Sequence, residues 1–276
     1  ASFDIVMHIV DYNESDSYLR AFWVGLTNTL LVSVLGIIFS TIIGFSMGIA
    51  RLSENWLVKK LSLLYIESIR NIPLLLQLFF WYFSVLRSLP DVKQSFSWQN
   101  LIFLNNRGLY LPKPYFSTEG QLHWSVPHLN FFNFEGGLVI IPEFIALLLA
   151  LSIYTGSFIA EIVRAGILSV NSGQIEASKA LGFSVKQRLR LIIIPQALRV
   201  IIPPLTSQLL NLTKNSSLAA AIAYPDLVLI FTGTVLLQTG QAVEVVLITM
   251  TVYLCISLFI SLIMNFYNKK IKWGER

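Results

Sequence analysis

A few charged and amide side chains lie within or at the ends of long apolar stretches of this chain. They are the candidates for binding or catalysis. Glu161 and Arg164 lie three positions apart in one apolar run, and Gln77 lies deep in another. The remaining candidates stand where a third run ends, and they are Lys214, Asn215, Ser216 and Ser217. Arginine cannot act as a base at neutral pH, so Glu161 and Arg164 do not form a catalytic pair. The residue types favour the binding of charged groups.

Each of these candidates has two interpretations. Glu161 and Arg164 share a helix face, so they either pair with each other or contact the amine or carboxylate of a zwitterionic solute. The segment from Lys214 either ends a helix in solvent or offers an ammonium, amides and hydroxyls to a carboxylate. Gln77 either bonds to another helix or lines a path. Glu67 and Arg70 have the same spacing, and they are predicted to form a structural pair or a gate.

The elements that must position these residues are membrane helices. The chain has 276 residues, 13% of them charged, and its mean hydropathy is +0.67. Backbone groups in lipid must be paired within a segment, so apolar runs of about 20 residues predict spanning helices. Five spans are predicted, at 22–50, 61–86, 140–165, 195–213 and 243–267. The fold class is therefore all-α and polytopic.

One further apolar stretch, 219–237, is interrupted by Pro225-Asp226 and by Gly233. It predicts a shorter helix buried on the outer side, and a sixth span is the alternative. Pro73, Pro203 and Pro204 fall within predicted spans, where they allow either hinges or static bends.

The positions of the basic residues indicate how the chain is oriented in the membrane, and they do not favour a nucleic-acid partner. The net charge is +5, and the Lys and Arg residues cluster after the first span, around 164–199 and at 269–276. All these clusters fall on one side if there are five spans, which places the N-terminus outside and the C-terminus in the cytoplasm. Acidic residues in the N-terminal segment 1–20 and the insert 88–137 then face outward. The insert has no helical period and predicts an ordered loop within the domain 21–276.

Metal, disulfide and nucleotide sites are not predicted. The lone Cys255 excludes a disulfide within the chain, and His8, His123 and His128 lack metal-ligand spacing. No Gly-x4-Gly-Lys-Ser/Thr loop is present, so ATP and magnesium must be bound elsewhere. The sequence before residue 21 does not have the pattern of a signal peptide. Whether a further N-terminal helix precedes this sequence is left open.

Small residues predict close helix packing. Gly36, Ser40, Gly44 and Gly48 recur every four positions in the first span. Ser152, Gly156 and Ala160 repeat this spacing in the third span. Such residues allow helix backbones to approach in lipid.

The loop 171–195 predicts two short helices separated by a glycine. Asn171 with Gln174 is an expected cap of the first helix, and Gly182 is its left-handed end. Ser184 with Gln187 has capping-box spacing. Pro195 is expected to close the second helix or open the fourth span. Ala177, Ala180 and Leu181 predict an apolar knob that inserts into a groove of a partner protein.

This loop resembles the signature of ABC-importer permeases, Glu-Ala-Ala-x3-Gly-x9-Ile-x-Leu-Pro, which docks on the ATP-binding subunit. Glu176, Ala177, Gly182, Ile192 and Pro195 match it. Ser178 replaces the second Ala, and Ile194 replaces Leu. The resemblance assigns ATPase coupling to Glu176, Ala177, Ser178, Ala180, Leu181, Gly182 and Pro195.

Further motifs are similar to those of the polar amino acid permeases, which include histidine, glutamine and general L-amino acid permeases. They start at Arg70, Glu161, Pro195 and Lys214, and the insert around 103–112 is similar to that of the larger, broad-range members. The resemblance implies alternating access, an amino acid ligand and no enzymatic activity in this chain. It implies an ATP-binding subunit dimer, a second homologous permease subunit or a second copy, and an extracytoplasmic substrate-binding protein. An ion-coupled transporter and a membrane-embedded enzyme are the alternatives, but no inverted repeat or nucleophile–base set supports them.

Overall fold

The computed structural model describes residues 17–116, 121–131 and 133–272. Four described helices are long and apolar enough to cross a membrane, and a bent helix pair raises the number to five. The predicted helical membrane fold is confirmed. Several residues used in the sequence argument lie outside the described residues, namely Asp4, His8, Asp11, Glu14, Asp16 and Arg276.

Helices make up most of the described chain, from Tyr18 to Lys272. α1 is Tyr18–Ala50, α2 is Trp56–Arg70, and α3 is Leu74–Phe79, which continues as a π-helix over Phe80–Leu86. α4 is Pro142–Leu168 and α5 is Ser172–Ala180. α6, Val185–Arg188, passes through a π-helical turn at Leu189–Ile193 into α7, Ile194–Asn215, and then a 3₁₀-helix at Ser216–Ile222. α8 is Leu227–Leu229, followed by a π-helix at Ile230–Val235, α9 at Leu236–Thr239 and α10 at Ala242–Lys272.

The second predicted span is wrong as a single helix. The chain bends by 105° between α2 and the helix Leu74–Leu86. Pro73 has no N–H and disfavours helical backbone at Ile72, so α2 ends before it. The side chain of Asn71 donates to the carbonyl of Glu67 at 2.6 Å and completes the end of α2.

The fourth predicted span is also longer than expected. Residues Val185–Ile222 form one helix of 38 residues. Pro195 is the second residue of α7, so it lies at the start of that helix, which is one of the two expected positions. The π-helical turn before α7 already alters the regular hydrogen-bond ladder. The expected end of the α-helix at Lys214–Ser217 is confirmed, because α7 ends at Asn215 and a 3₁₀-helix begins at Ser216. The winding tightens to 3₁₀ there, and the chain leaves the helix at Ala223, where φ is +59°.

The insert forms short strands instead of a loop. β1 to β8 are Phe96–Trp98, Ile102–Asn105, Gly108–Leu111, Lys113–Phe116, Leu122–Ser125, His128–Asn130, Asn133–Glu135 and Leu138–Ile140. β1, β2, β3 and β8 make an antiparallel sheet in that order, and β4–β5 and β6–β7 are hairpins. Tyr110, Phe134 and Val92 form its small core. Burial raises the pKa of Tyr110, whose phenol donates to Asn133 Oδ1 at 3.1 Å.

The chain divides into two compact units that share the long helices. The first contains the described residues up to Val32, together with Leu74–Ala150 and Ser216–Thr249. Within it the segment before α8 packs on α1. Asn28 Nδ2 donates to the carbonyl of Pro225 at 2.8 Å, and Thr29 Oγ1 accepts from the N–H of Leu227 at 3.1 Å. The helix Leu227–Thr239 is shorter than a span and has a buried face, as predicted.

The second unit contains Ser33–Pro73, Leu151–Asn215 and the described residues from Met250 onward. Here the predicted packing of small residues is confirmed. A Cβ on Gly48 would lie 2.6 Å from the carbonyl oxygen of Ala160, and one on Gly156 would lie 2.9 Å from Ile43 Cγ2. A Cβ on Gly44 would overlap Ile159. The backbones of α1 and α4 therefore approach closely, as small residues allow.

Candidate functional sites

The short helix α5 is held at its N-terminus as the sequence predicts. The side chain of Asn171 accepts from the N–H of Gly173 at 2.8 Å. Gln174 does not complete this cap, because its Oε1 accepts from Gln196 Nε2 at 2.6 Å. This bond joins α5 to the first turn of α7, 22 positions further along the chain.

One face of α5 packs on its own protein. Ile175 packs against a buried cluster that includes Val170, Ala197 and Ile201. Ser178 is 2% exposed, and its hydroxyl donates to the carbonyl of Ile175 at 2.6 Å. A serine can replace the alanine of the signature because it is small and its hydroxyl is satisfied within the helix.

The opposite face of α5 is open. Glu176, Ala177 and Ala180 are exposed. Leu181, which follows them, is 76% exposed although it is a large apolar residue. The predicted apolar knob therefore presents its largest side chain at the surface.

Backbone geometry fixes the end of this knob. Gly182 has φ +78°, and a Cβ built on it would meet no atom within 4 Å. The N–H of Phe183 donates to the carbonyl of Ser178 at 3.0 Å, which closes the helix in the expected manner. Ser184 and Gln187 then form the predicted capping box.

A charge cluster lies in the second unit. Glu161 accepts from Arg164 Nη2 and from Arg51 Nη1, each at 2.5 Å. Arg51 Nη2 also lies 3.9 Å from Glu67. The predicted pair of Glu161 with Arg164 is therefore present. From the sequence, Arg51 is used only to assign orientation, and this contact is not predicted. The signal that could have found it is an arginine at the end of one apolar run together with a glutamate inside another.

The predicted pair of Glu67 with Arg70 is wrong. Within the described part of the chain no ion pair joins them. The guanidinium of Arg70 lies over the ring of Phe158, 5.1 Å from its centroid. Such a contact stabilises a cation beside an aromatic face. Arg51 is the cation nearest to Glu67 instead.

The other candidates of the predicted pathway are distributed over both units. In the first unit, Gln77 lies on α3 and is 5% exposed. Ser216 and Ser217 start the 3₁₀-helix, and Ser216 is 1% exposed. In the second unit, Lys214 is exposed and Asn215 is half-buried at the end of α7. Among the described residues no group of three His, Cys, Asp or Glu side chains could hold a metal ion.

Several membrane-spanning helices, with a capped and exposed helix between two of them, define the class of protein. A model of the family described as "Binding-protein-dependent transport system inner membrane component" matches residues 36–273, and the chain belongs to this family. It is therefore a multi-pass inner-membrane permease subunit of an ABC importer, and ATP hydrolysis belongs to a separate subunit. An ATPase and a substrate-binding protein are its partners as a member of this class.

Relatives of known name extend over the whole chain. It is 52% identical to YhdX of Escherichia coli (strain K12), assigned as an amino-acid ABC transporter permease, and the match covers 100% of this chain and 84% of that protein. It is 45% identical to the general L-amino acid transport system permease AapQ of Rhizobium johnstonii, with 100% and 82% covered. A crystal structure of an amino acid ABC transporter with histidines matches with a TM-score of 0.66 and 25% identity, over 92% of this chain and 95% of that one.

Proposed function

We propose that this permease moves amino acids into the cell by alternating access. The observation that supports this cargo is the agreement between relatives matched along the entire chain, which are named for amino-acid transport. The zwitterionic character of an amino acid demands both donors and acceptors when it leaves water.

The exposed face of α5 is the surface that we assign to the ATPase. A knob formed by Ala177, Ala180 and Leu181 is small, rigid and desolvated at low cost, because alanine and leucine carry no polar group to strip of water. Glu176 lies beside the knob and supplies a charge for a basic partner group. Closure of two ATPase subunits would then displace α5.

The displacement has a direct route into the membrane. Gln174 is hydrogen-bonded to Gln196, and Ile175 packs on the cluster that contains Ala197 and Ile201. Both contacts reach α7, which is the central part of the continuous helical stretch Val185–Ile222. A movement of α5 would therefore be transmitted to the whole helix.

The assembly that we propose contains a second homologous permease subunit or a second copy of this chain. The loop 171–195 faces the cytoplasm, whereas the insert 88–137 faces the binding protein outside. This orientation follows from the positions of the basic residues between the spans.

For the ligand, we favour the segment Lys214–Ser217. At this point the α-helix gives way to a 3₁₀-helix, and the segment carries an ammonium, an amide and two hydroxyls that suit a carboxylate. Glu161 and Arg164 stay in the proposal as a second location, but a ligand there must displace one of the guanidinium groups now bound to the carboxylate. Gln77 is a further candidate, as a buried amide on α3.

Reconstitution tests the cargo. The chain is assembled with its ATPase and binding protein in proteoliposomes, and ATP-dependent uptake of labelled amino acids is compared with that of a sugar. Uptake of amino acids alone supports the proposal, and uptake of the sugar alone contradicts it.

Kinetics of three variants test the ligand site. Lys214→Met, Glu161→Gln and Arg164→Met are checked for assembly and for ATPase coupling, and their Michaelis constants are then measured. We expect Lys214→Met to raise KM for at least one amino acid. If all three assemble and transport every substrate with unaltered constants, the ligand binds elsewhere.

A further inference from the structure

The second unit contains an apolar cavity, and its lining residues Ala197 and Ile201 belong to the cluster on which Ile175 packs. Its volume is about 720 Å³, and residues of α1, α4, α7 and the π-helical turn line it, among them Phe45, Ile49, Val163, Ile167, Ile193 and Ala197. Only Ser53, of all the lining residues, has a polar side chain. Its hydroxyl accepts from the N–H of Asn55 at 3.2 Å, so it is directed to the backbone.

An apolar lining of this kind excludes a polar solute. Water enters a cavity when it finds two to four polar partners, and this cavity offers almost none. The volume lies within the range of small-molecule sites, about 300–1,000 Å³. In a membrane subunit the apolar molecule at hand is the acyl chain of a phospholipid.

Basic residues adjacent in sequence to lining residues favour an anionic headgroup. Lys59 and Lys60 follow the lining residue Val58, whereas Arg188 and Arg190 flank the lining residue Leu189. In the described part of the chain none of these four cations forms an ion pair. Glu54 is the one acidic residue next to a lining position, so cations dominate. Basic pockets between membrane helices bind anionic headgroups.

We infer that this cavity binds one acyl chain of an anionic phospholipid, whose phosphate is held by Lys59, Lys60, Arg188 and Arg190. The bound lipid contacts Leu189 and Ile193 in the turn between α6 and α7. Occupancy therefore stiffens the connection between the docking surface and the long helix. This inference depends on the membrane location of the subunit and is independent of its cargo.

Lipid binding is measured by native mass spectrometry on the assembled transporter in detergent, with phosphatidylglycerol as the probe and phosphatidylcholine as its neutral control. We expect the wild-type protein to retain phosphatidylglycerol preferentially. The single variant Lys59→Gln is expected to weaken this binding about fivefold. Adding Lys60→Gln to it is expected to weaken the binding by about the same factor again. Lys113→Gln on strand β4, which belongs to the first unit, is the charge control.

A steric pair of variants tests the cavity itself. Ile49→Trp places an indole at the cavity wall, and Ile38→Trp places one on the same helix at an exposed position away from the lining. Only Ile49→Trp is expected to lose bound lipid. Equal retention in both variants, or equal binding of both lipids, overturns the inference. If Ile49→Trp separates the subunits without changing lipid retention, the cavity belongs to a protein interface.

Discussion

Arg51 and Glu161 are joined by a hydrogen bond of 2.5 Å although 110 positions separate them in the chain. The bond ties the residue after α1 to the interior of α4. Both side chains are partly exposed, at 19% and 27%, so the pair is neither fully screened by solvent nor fully buried. Arg164 completes the arrangement, and two guanidinium groups surround one carboxylate.

We predict that Arg51→Met destabilises the folded protein by about 1.5–3 kcal/mol, the usual contribution of a hydrogen bond to a charged group. The thermal midpoint in detergent should fall accordingly. Glu161→Gln should lower it as well, and the double variant should cost less than the sum because one interaction is counted twice. Lys269→Met is the control, since Lys269 is exposed and forms no ion pair in the described residues. Equal midpoints for Arg51→Met and Lys269→Met would contradict a stabilising role.

Gly182 permits a test of the docking surface that separates charge from backbone strain. Asn and Asp tolerate the left-handed conformation about equally, so Gly182→Asn and Gly182→Asp carry the same backbone cost. A Cβ at this position would meet no atom within 4 Å. We expect Gly182→Asp to lose stimulation of ATPase activity by the binding protein and Gly182→Asn to retain most of it.

Gly240→Asp provides the control for that experiment. Gly240 has φ +70° and equally open surroundings, but it lies at the end of α9, away from the α5 loop in sequence. This variant should keep its stimulated ATPase activity. Normal transport by well-expressed Gly182→Asp would refute the docking role.

The close approach of α1 and α4 predicts a cost for any larger side chain at Gly48. A Cβ there would lie 2.6 Å from a backbone carbonyl oxygen, which cannot rotate away. Gly48→Ala should reduce stability by about 1–3 kcal/mol, as overpacking does. Gly233→Ala is the matched variant, because its nearest atom would be Leu229 Cδ1 at 3.7 Å. A drop in the thermal midpoint for Gly233→Ala but not for Gly48→Ala would contradict the packing argument.

Orientation is tested by labelling of single cysteines in intact cells and in inverted vesicles. Cys255 is first replaced by Ser because its thiol is exposed. A cysteine at Asn106, in the turn between β2 and β3, should react with an impermeant reagent from outside, and one at Lys186 only from inside. Reaction of both from the same side would rule out the five-span arrangement.

The sequence by itself determined the features that depend on neighbouring residues. Apolar length specified the spans, and capping chemistry at Asn171, Gly182 and Ser184 specified the short helices around α5, since their partners lie within a few positions. Spacing of four also specified the packing face of Gly44 and Gly48.

Only the tertiary structure decided which distant groups meet. The sequence showed Glu161 beside Arg164, but the contact with Arg51 depends on how α1 and α4 pack. The strands of the insert were missed because their hydrogen bonds join segments far apart, as in the pairing of Tyr110 with Val139. The broken second span was missed because Pro73 allows either a slight kink or a sharp bend. Contacts beyond the local segment select between such conformations, and local residue patterns carry no record of those contacts.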